Sequence, residues 1–111
     1  MTIERGEIYL FNLEPIVGSE QRGPARPCIV LSISELNAKL RTVGVVPLTS
    51  SSRPLLPLVV SVPSGGLPTS KALCGQLRTL DKRRIVGGAL GRLSKDDLLE
   101  VERCVRQVYG L

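Results

Sequence analysis

Three polar stretches of this chain carry side chains able to act on a phosphate. They are Ser19-Glu20-Gln21-Arg22 with the nearby Arg26, then Thr49-Ser50-Ser51-Ser52-Arg53, and Gln76-Leu77-Arg78-Thr79. A guanidinium grips two phosphoryl oxygens at once, and hydroxyls and amides add aimed hydrogen bonds. Taken singly, each residue has an ordinary structural use: Arg26 pairing with a carboxylate, Thr49 ending a strand, Gln76 satisfying backbone groups. Taken together, with no cofactor motif beside them, they point to a phosphate-containing partner.

The rest of the composition narrows the chemistry. The chain contains no histidine, which removes the commonest acid–base group at neutral pH together with every His-based metal site or Ser-His-Asp arrangement. Its ten carboxylates are scattered apart from Asp96-Asp97, which open a helix pattern and suit a capping role, so a two-metal phosphodiesterase site is not expected. No metal and no cofactor is assigned. Gly87-Gly88-Ala89-Leu90-Gly91 has neither P-loop nor dinucleotide spacing, and its glycines are better explained by a bent strand. Fifteen Lys plus Arg against ten Asp plus Glu leave a net charge of +5, which favours a polyanion such as nucleic acid. Aromatic residues are 3% of the chain, too few for a base-stacking platform.

These polar stretches must be held by short strands. Glu7 to Leu13 is rich in β-formers, and Cys28 to Leu31 reads as a buried second strand. Between them lies the polar loop Val17 to Ala25, with Gly18, Gly23 and Pro24. Ser34 to Leu40 predicts one or two helical turns capped by Ser34, followed by a third strand from Val43 to Leu48 that ends at Thr49. After the turn-prone run Thr49 to Pro54, Leu58 to Val62 resumes the strand pattern, and Lys71 to Leu77 gives a fifth strand. Asp81-Lys82-Arg83-Arg84 predicts a charged turn, and Ile85 to Leu90 a bent final strand. Ser94 with Asp97 three residues on signals a helix start, and Leu98, Val101, Val105 and Val108 recur on one helical face.

Five or six short strands and a terminal helix define a mainly β, α+β fold class: a small, strongly bent antiparallel sheet or partly open barrel with the helix packed on it. At 111 residues one domain over 1–111 is expected, since a second core needs roughly another 100 residues. There is no internal repeat. No run of about 18 apolar residues is present, so a cytoplasmic protein without membrane contact is expected. Cys28, Cys74 and Cys104 lie in apolar runs with neither disulfide-framework nor metal spacing and read as reduced core residues.

The residues also carry a specific resemblance. Arg5-Gly6-Glu7-Ile8-Tyr9-Leu10, Val17-Gly18-Ser19-Glu20-Gln21 and Arg26-Pro27 look like the opening of MazF/PemK toxins. Pro47-Leu48-Thr49-Ser50 resembles that family's third-strand motif. Gln76-Leu77-Arg78-Thr79-Leu80-Asp81-Lys82 resembles its Gln-x-Arg-Thr-hydrophobic-Asp-Lys stretch, and Gly91-Arg92-Leu93-Ser94 the start of its final helix. The motifs keep order and spacing across nearly the whole chain. The resemblance implies a Kid/CcdB-type fold, a homodimer, sequence-selective cleavage of single-stranded RNA as an mRNA interferase, and an antitoxin protein whose disordered segment covers the RNA groove. It places the catalytic pair on Arg26 and Thr49, and RNA contacts on Ser19, Glu20, Gln21, Arg22, Ser50, Ser51, Arg53, Gln76 and Arg78. Plasmid-type members resemble Arg-Cys-Asp-Gln where this chain has Leu73-Cys74-Gly75-Gln76, so a second catalytic Arg and Asp do not carry over.

The expected reaction is attack of the RNA's own 2′-hydroxyl on the adjacent phosphorus, leaving a 2′,3′-cyclic phosphate and a 5′-hydroxyl with no metal ion. Arg26 and Thr49 would stabilise the charge that builds on the phosphoryl oxygens. A guanidinium is a poor base at neutral pH, and Glu20 is the nearest carboxylate in sequence, though an ordinary exposed loop glutamate is the plainer reading of it. Two alternatives stand beside this one: a gyrase-poisoning toxin of the same fold, which needs no phosphate-binding arginine, and a noncatalytic nucleic-acid-binding module.

Overall fold

A computed structural model of the chain describes residues 2–13, 25–50, 58–67 and 69–111. Strands β1 (Glu7–Phe11), β2 (Arg26–Val30) and β3 (Thr42–Thr49) come first, with the short helix α1 (Ser34–Lys39) between the last two. They are followed by β4 (Val59–Ser61), β5 (Lys71–Leu73), β6 (Arg78–Asp81), β7 (Ile85–Arg92) and helix α2 (Lys95–Tyr109). Every pairing among these strands is antiparallel, in the order β4-β5-β3-β2-β1-β7, with β6 also on β3.

β3 is the organising strand because one edge serves two partners. Its first half pairs with β6, from Thr42↔Asp81 to Val45↔Arg78, and its end pairs with β5 through Leu48↔Ala72 and Thr49↔Lys71. The segment between those partners, which the sequence pattern predicts as one strand from Lys71 to Leu77, is instead broken by a 3-10 turn at Cys74–Gln76. That break lets the chain leave one half of β3 and join the other. Cys74 pins the turn: it is fully buried, and its amide donates to Leu58 O at 2.9 Å. The strand count is therefore seven rather than five or six among the described residues.

The sheet rolls up. A second 3-10 turn at Lys82–Arg84 joins β6 to β7, and its backbone reaches both ends of the roll: Lys82 N donates to Arg41 O, and Asn12 N to Arg84 O. The glycine-rich β7 bends as expected. Its register against β1 shifts between Ile8↔Gly91 and Leu10↔Val86, leaving extra residues around Gly87, whose φ of 78° suits glycine.

Because side chains alternate along a strand, the two faces sort into two cores. On one face Ile8, Ile29, Val46, Leu48 and Ala72 pack with Val101, Cys104 and Val105 of α2. On the other, inside the roll, Tyr9, Phe11, Cys28, Val30, Val43, Val45 and Leu80 form a separate cluster. The three cysteines are buried and free, as expected.

α2 begins as its sequence requires, with Ser94 Oγ accepting from Asp97 N at 3.2 Å. The Asp97 carboxylate turns away to accept from Ser64 N at 2.9 Å and Ser64 Oγ at 2.5 Å, fastening the helix start to the Pro63–Gly65 turn. At the other end Gly110 closes the helix in the left-handed conformation. Ser34 does not cap α1; Ile33 holds that position, and Ser34 Oγ accepts from Arg5 N at 3.0 Å. α1 is anchored by Asn37, buried and bonded to Ile3 O, Ser32 O and Ser32 Oγ.

Candidate active site

The site follows from the β2–β3 ladder. Its rungs run from Val30↔Val45 to Cys28↔Pro47, and two residues further on each strand stand Arg26, the first residue of β2, and Thr49, the last of β3. Alternation keeps Arg26, Cys28, Pro47 and Thr49 on the face turned away from α2. Pro27 and Pro47 withdraw backbone donors from this end of the ladder. The hydroxyl and the guanidinium expected to act together therefore lie at the same end and on the same face.

Lys71 does not stand out in the sequence, yet its register partner is Thr49. The alternation in Lys71-Ala72-Leu73, with Ala72 buried against the helix-side core, is the signal that could have found it. Arg78 lies opposite Val45 and so shares this face too. Thr49 sits between the strand that carries Arg26 on one side and the strand that carries Lys71 on the other, with neighbouring strands about 4.8 Å apart.

Cys28 reports on the field at this end. Burial pushes its thiol up to about 12, and the positive charges of Arg78 and Arg26 work against that rise. Two guanidiniums thus act on one sulfur at the floor of the site. Arg26 and Arg78 are half-buried, while Thr49 is 8% exposed and forms part of the floor.

The remaining expected contacts divide. Ser50 is exposed, and its carbonyl accepts from Thr69 Oγ1 at 2.9 Å. Gln76 is exposed at the end of the 3-10 turn that Cys74 anchors. Ser19, Glu20, Gln21, Arg22, Ser51 and Arg53 lie outside the described residues. The missing second Arg and Asp have a structural counterpart: Leu73 is buried, and a side chain at Gly75 would meet Leu58 Cδ1 at 3.2 Å.

A rolled antiparallel sheet with a packed C-terminal helix, with Arg26 and Lys71 on the strands either side of Thr49, defines a small β-roll protein. Residues 4–109 match the family described as PemK-like, MazF-like toxin of type II toxin–antitoxin system, and the chain belongs to that family. It is 34% identical over 102 residues to the endoribonuclease PemK of Escherichia coli, a match covering 89% of this chain and 76% of the relative. It is 33% identical over 113 residues to the endoribonuclease MazF of Staphylococcus epidermidis, covering 98% and 92%. Among solved structures, MazF from Deinococcus radiodurans superposes with a TM-score of 0.86 at 28% identity, over 100% of this chain and 99% of that one. A MazE–MazF complex from the same organism gives 0.82 at 26% identity, over 100% and 99%. The expected family and fold are borne out, and the names of these relatives agree with the expected activity.

Proposed function

We propose that this chain is the toxin of a type II toxin–antitoxin pair and that it cuts single-stranded RNA endonucleolytically in the cytoplasm. The observation that carries this reading is the meeting of Arg26 at the start of β2 with Thr49 at the end of the adjacent β3, on one sheet face, with Lys71 across from Thr49. The relatives named endoribonucleases support the same activity.

In this reading the 2′-hydroxyl attacks the neighbouring phosphorus, its proton passing to a base, while the P–O bond to the next nucleoside's 5′-oxygen breaks and that oxygen takes up a proton. The products are a 2′,3′-cyclic phosphate and a 5′-hydroxyl. Arg26 binds the phosphoryl oxygens, Thr49 donates to the same group, and Lys71 adds positive charge from the next strand. No step calls for a metal, in keeping with a chain that has no histidine. Glu20 is the carboxylate nearest in sequence to take the proton. Ser50, Gln76 and Arg78, with Ser19, Gln21, Arg22, Ser51 and Arg53, line the path of the RNA.

The partners in this reading are a second copy of the chain and an antitoxin whose disordered segment covers the groove. Val86 and Leu90, exposed on β7, support burial against another protein surface, and a relative of the same fold is solved with MazE. The test is incubation of the purified protein with mixed-sequence single-stranded RNA in EDTA, followed by mapping of the ends. Cyclic-phosphate and 5′-hydroxyl ends are expected, and a substrate with 2′-deoxyribose at the cut should resist. RNA left intact at high protein concentration would remove the reading and favour a gyrase-directed or purely binding role.

A further inference from the structure

The positive charge of this chain is not confined to the site at Thr49. Lys71 stands opposite Thr49, Arg78 opposite Val45, and Arg41 precedes Thr42 four residues further down. β3 thus carries cations beside it at intervals of about 13 Å, four residues of strand. The series ends at a surface cavity of about 360 Å³ lined by Leu40, Arg41, Asp81, Lys82 and Arg83. Nothing in the chemistry proposed for Arg26 and Thr49 uses it.

The cavity is built to attract an anion. Among the described residues Asp81 is its one acidic lining residue, and Arg83 engages that carboxylate through N at 2.8 Å, Nε at 3.1 Å and Nη2 at 3.2 Å. The pairing holds Asp81 below the usual carboxylate range. With those two charges set against each other, the guanidinium of Arg41 and the ammonium of Lys82 remain in surplus. The walls are fixed: Lys82 N donates to Arg41 O at 2.9 Å, and Lys82 Nζ to Asn37 O at the end of α1. Leu40, half exposed, supplies an apolar edge.

The geometry points to an accessory phosphate-binding site for RNA at Arg41 and Lys82, beside the Asp81–Arg83 pair, which holds the strand several nucleotides away from the bond that is cut. The inference rests on the RNA-cleaving reading of the Thr49 site. It adds that a long RNA is held at two points along β3, separated by up to about 26 Å of strand, whereas a short one is held at the cut alone.

The experiment compares the unaltered protein with the double variant Arg41→Gln/Lys82→Gln and with Arg41→Lys. Each meets a short RNA confined to the mapped cut site and a long RNA extended in both directions, made uncleavable by 2′-deoxyribose at the cut for the binding arm. Thermal melting checks that each variant is folded. The double variant should bind the long RNA about tenfold more weakly. The slope of log affinity against log salt should fall by roughly 0.7 for each phosphate that is no longer neutralised. Cleavage of the short RNA should be unchanged, and Arg41→Lys should retain most of the long-RNA affinity. An unchanged affinity and salt slope on long RNA overturns the proposal, as does an equal loss on short and long RNA. If RNA binding is unchanged while binding of poly-glutamate weakens, the cavity serves an acidic protein segment and the proposal is again overturned. Failure of the unaltered protein to cut either RNA removes the reading of the Thr49 site instead, a result distinct from normal cutting with no length dependence.

Discussion

Lys71 faces Thr49 directly across the β3–β5 pair. Residues so placed have Cβ atoms about 5 Å apart, so the stem of a lysine side chain starts beside the hydroxyl on which the proposed cleavage depends. Thr49→Val removes that hydroxyl without emptying the position. Single-turnover cleavage should slow by about a hundred- to a thousandfold, the loss typical of one aimed donor. Arg26→Ala should lose at least as much, because it removes a charge as well.

Lys71→Ala should lower the cleavage rate by about tenfold, less than either partner, since it acts on developing charge from the next strand. Lys71→Arg should recover most of the rate. An equal loss in both variants, read from rate constants at saturating RNA, would assign Lys71 to packing of β5 and not to the reacting phosphate.

Phe11 is completely buried in the cluster inside the roll. Phe11→Ala should cost about 3–5 kcal/mol of unfolding free energy, read from urea denaturation. Leu111 is 84% exposed, and Leu111→Ala should stay within about 0.5 kcal/mol.

Ser94→Ala removes the hydroxyl that caps α2 and should cost about 1 kcal/mol. The backbone bond from Ser94 N to Ser64 Oγ at 2.9 Å is kept in this variant. Amide hydrogen exchange should quicken first in the opening turn of α2, with the sheet unaffected.

Burial raises the thiols of Cys28 and Cys74 from 9.0 to about 12 in the folded chain. Above pH 9 the unfolded chain releases these protons while the folded chain keeps them, so ionisation favours unfolding. Stability should be insensitive to these groups below pH 9 and should fall as pH rises from 9 toward 12. Urea midpoints at pH 8 and pH 10 check the sign, and replacing both cysteines by alanine should flatten the difference.

Much of the fold was legible in the chain. Strong local signals survive folding: Ser94 with Asp97 opens α2, Val101 and Val105 bury its face, and the glycines of β7 bend it where the register shifts. Cys74 shows what was not legible. Its apolar run continues a strand pattern, but a fully buried side chain in a 3-10 turn is decided by packing against Val101 of α2, 27 residues away in sequence. Lys71 escapes a reading of the sequence because its importance lies in its partner Thr49, and pairing is a long-range property that no local window contains. Ser34 is the reverse case: a good capping residue is drawn to a different donor, the amide of Arg5.

One ladder sets both the core and the chemistry proposed for Thr49. Leu48 belongs to the helix-side core and Thr49 to the opposite face, so a slip of β3 by a single residue would bury the hydroxyl under α2 and present a leucine to the phosphate. Packing defects and catalytic defects are then the same event in β3. Substitutions that loosen Val46 or Leu48 should yield folded but inert molecules, because the alignment that keeps the interior dry is the one that aims the reactive group.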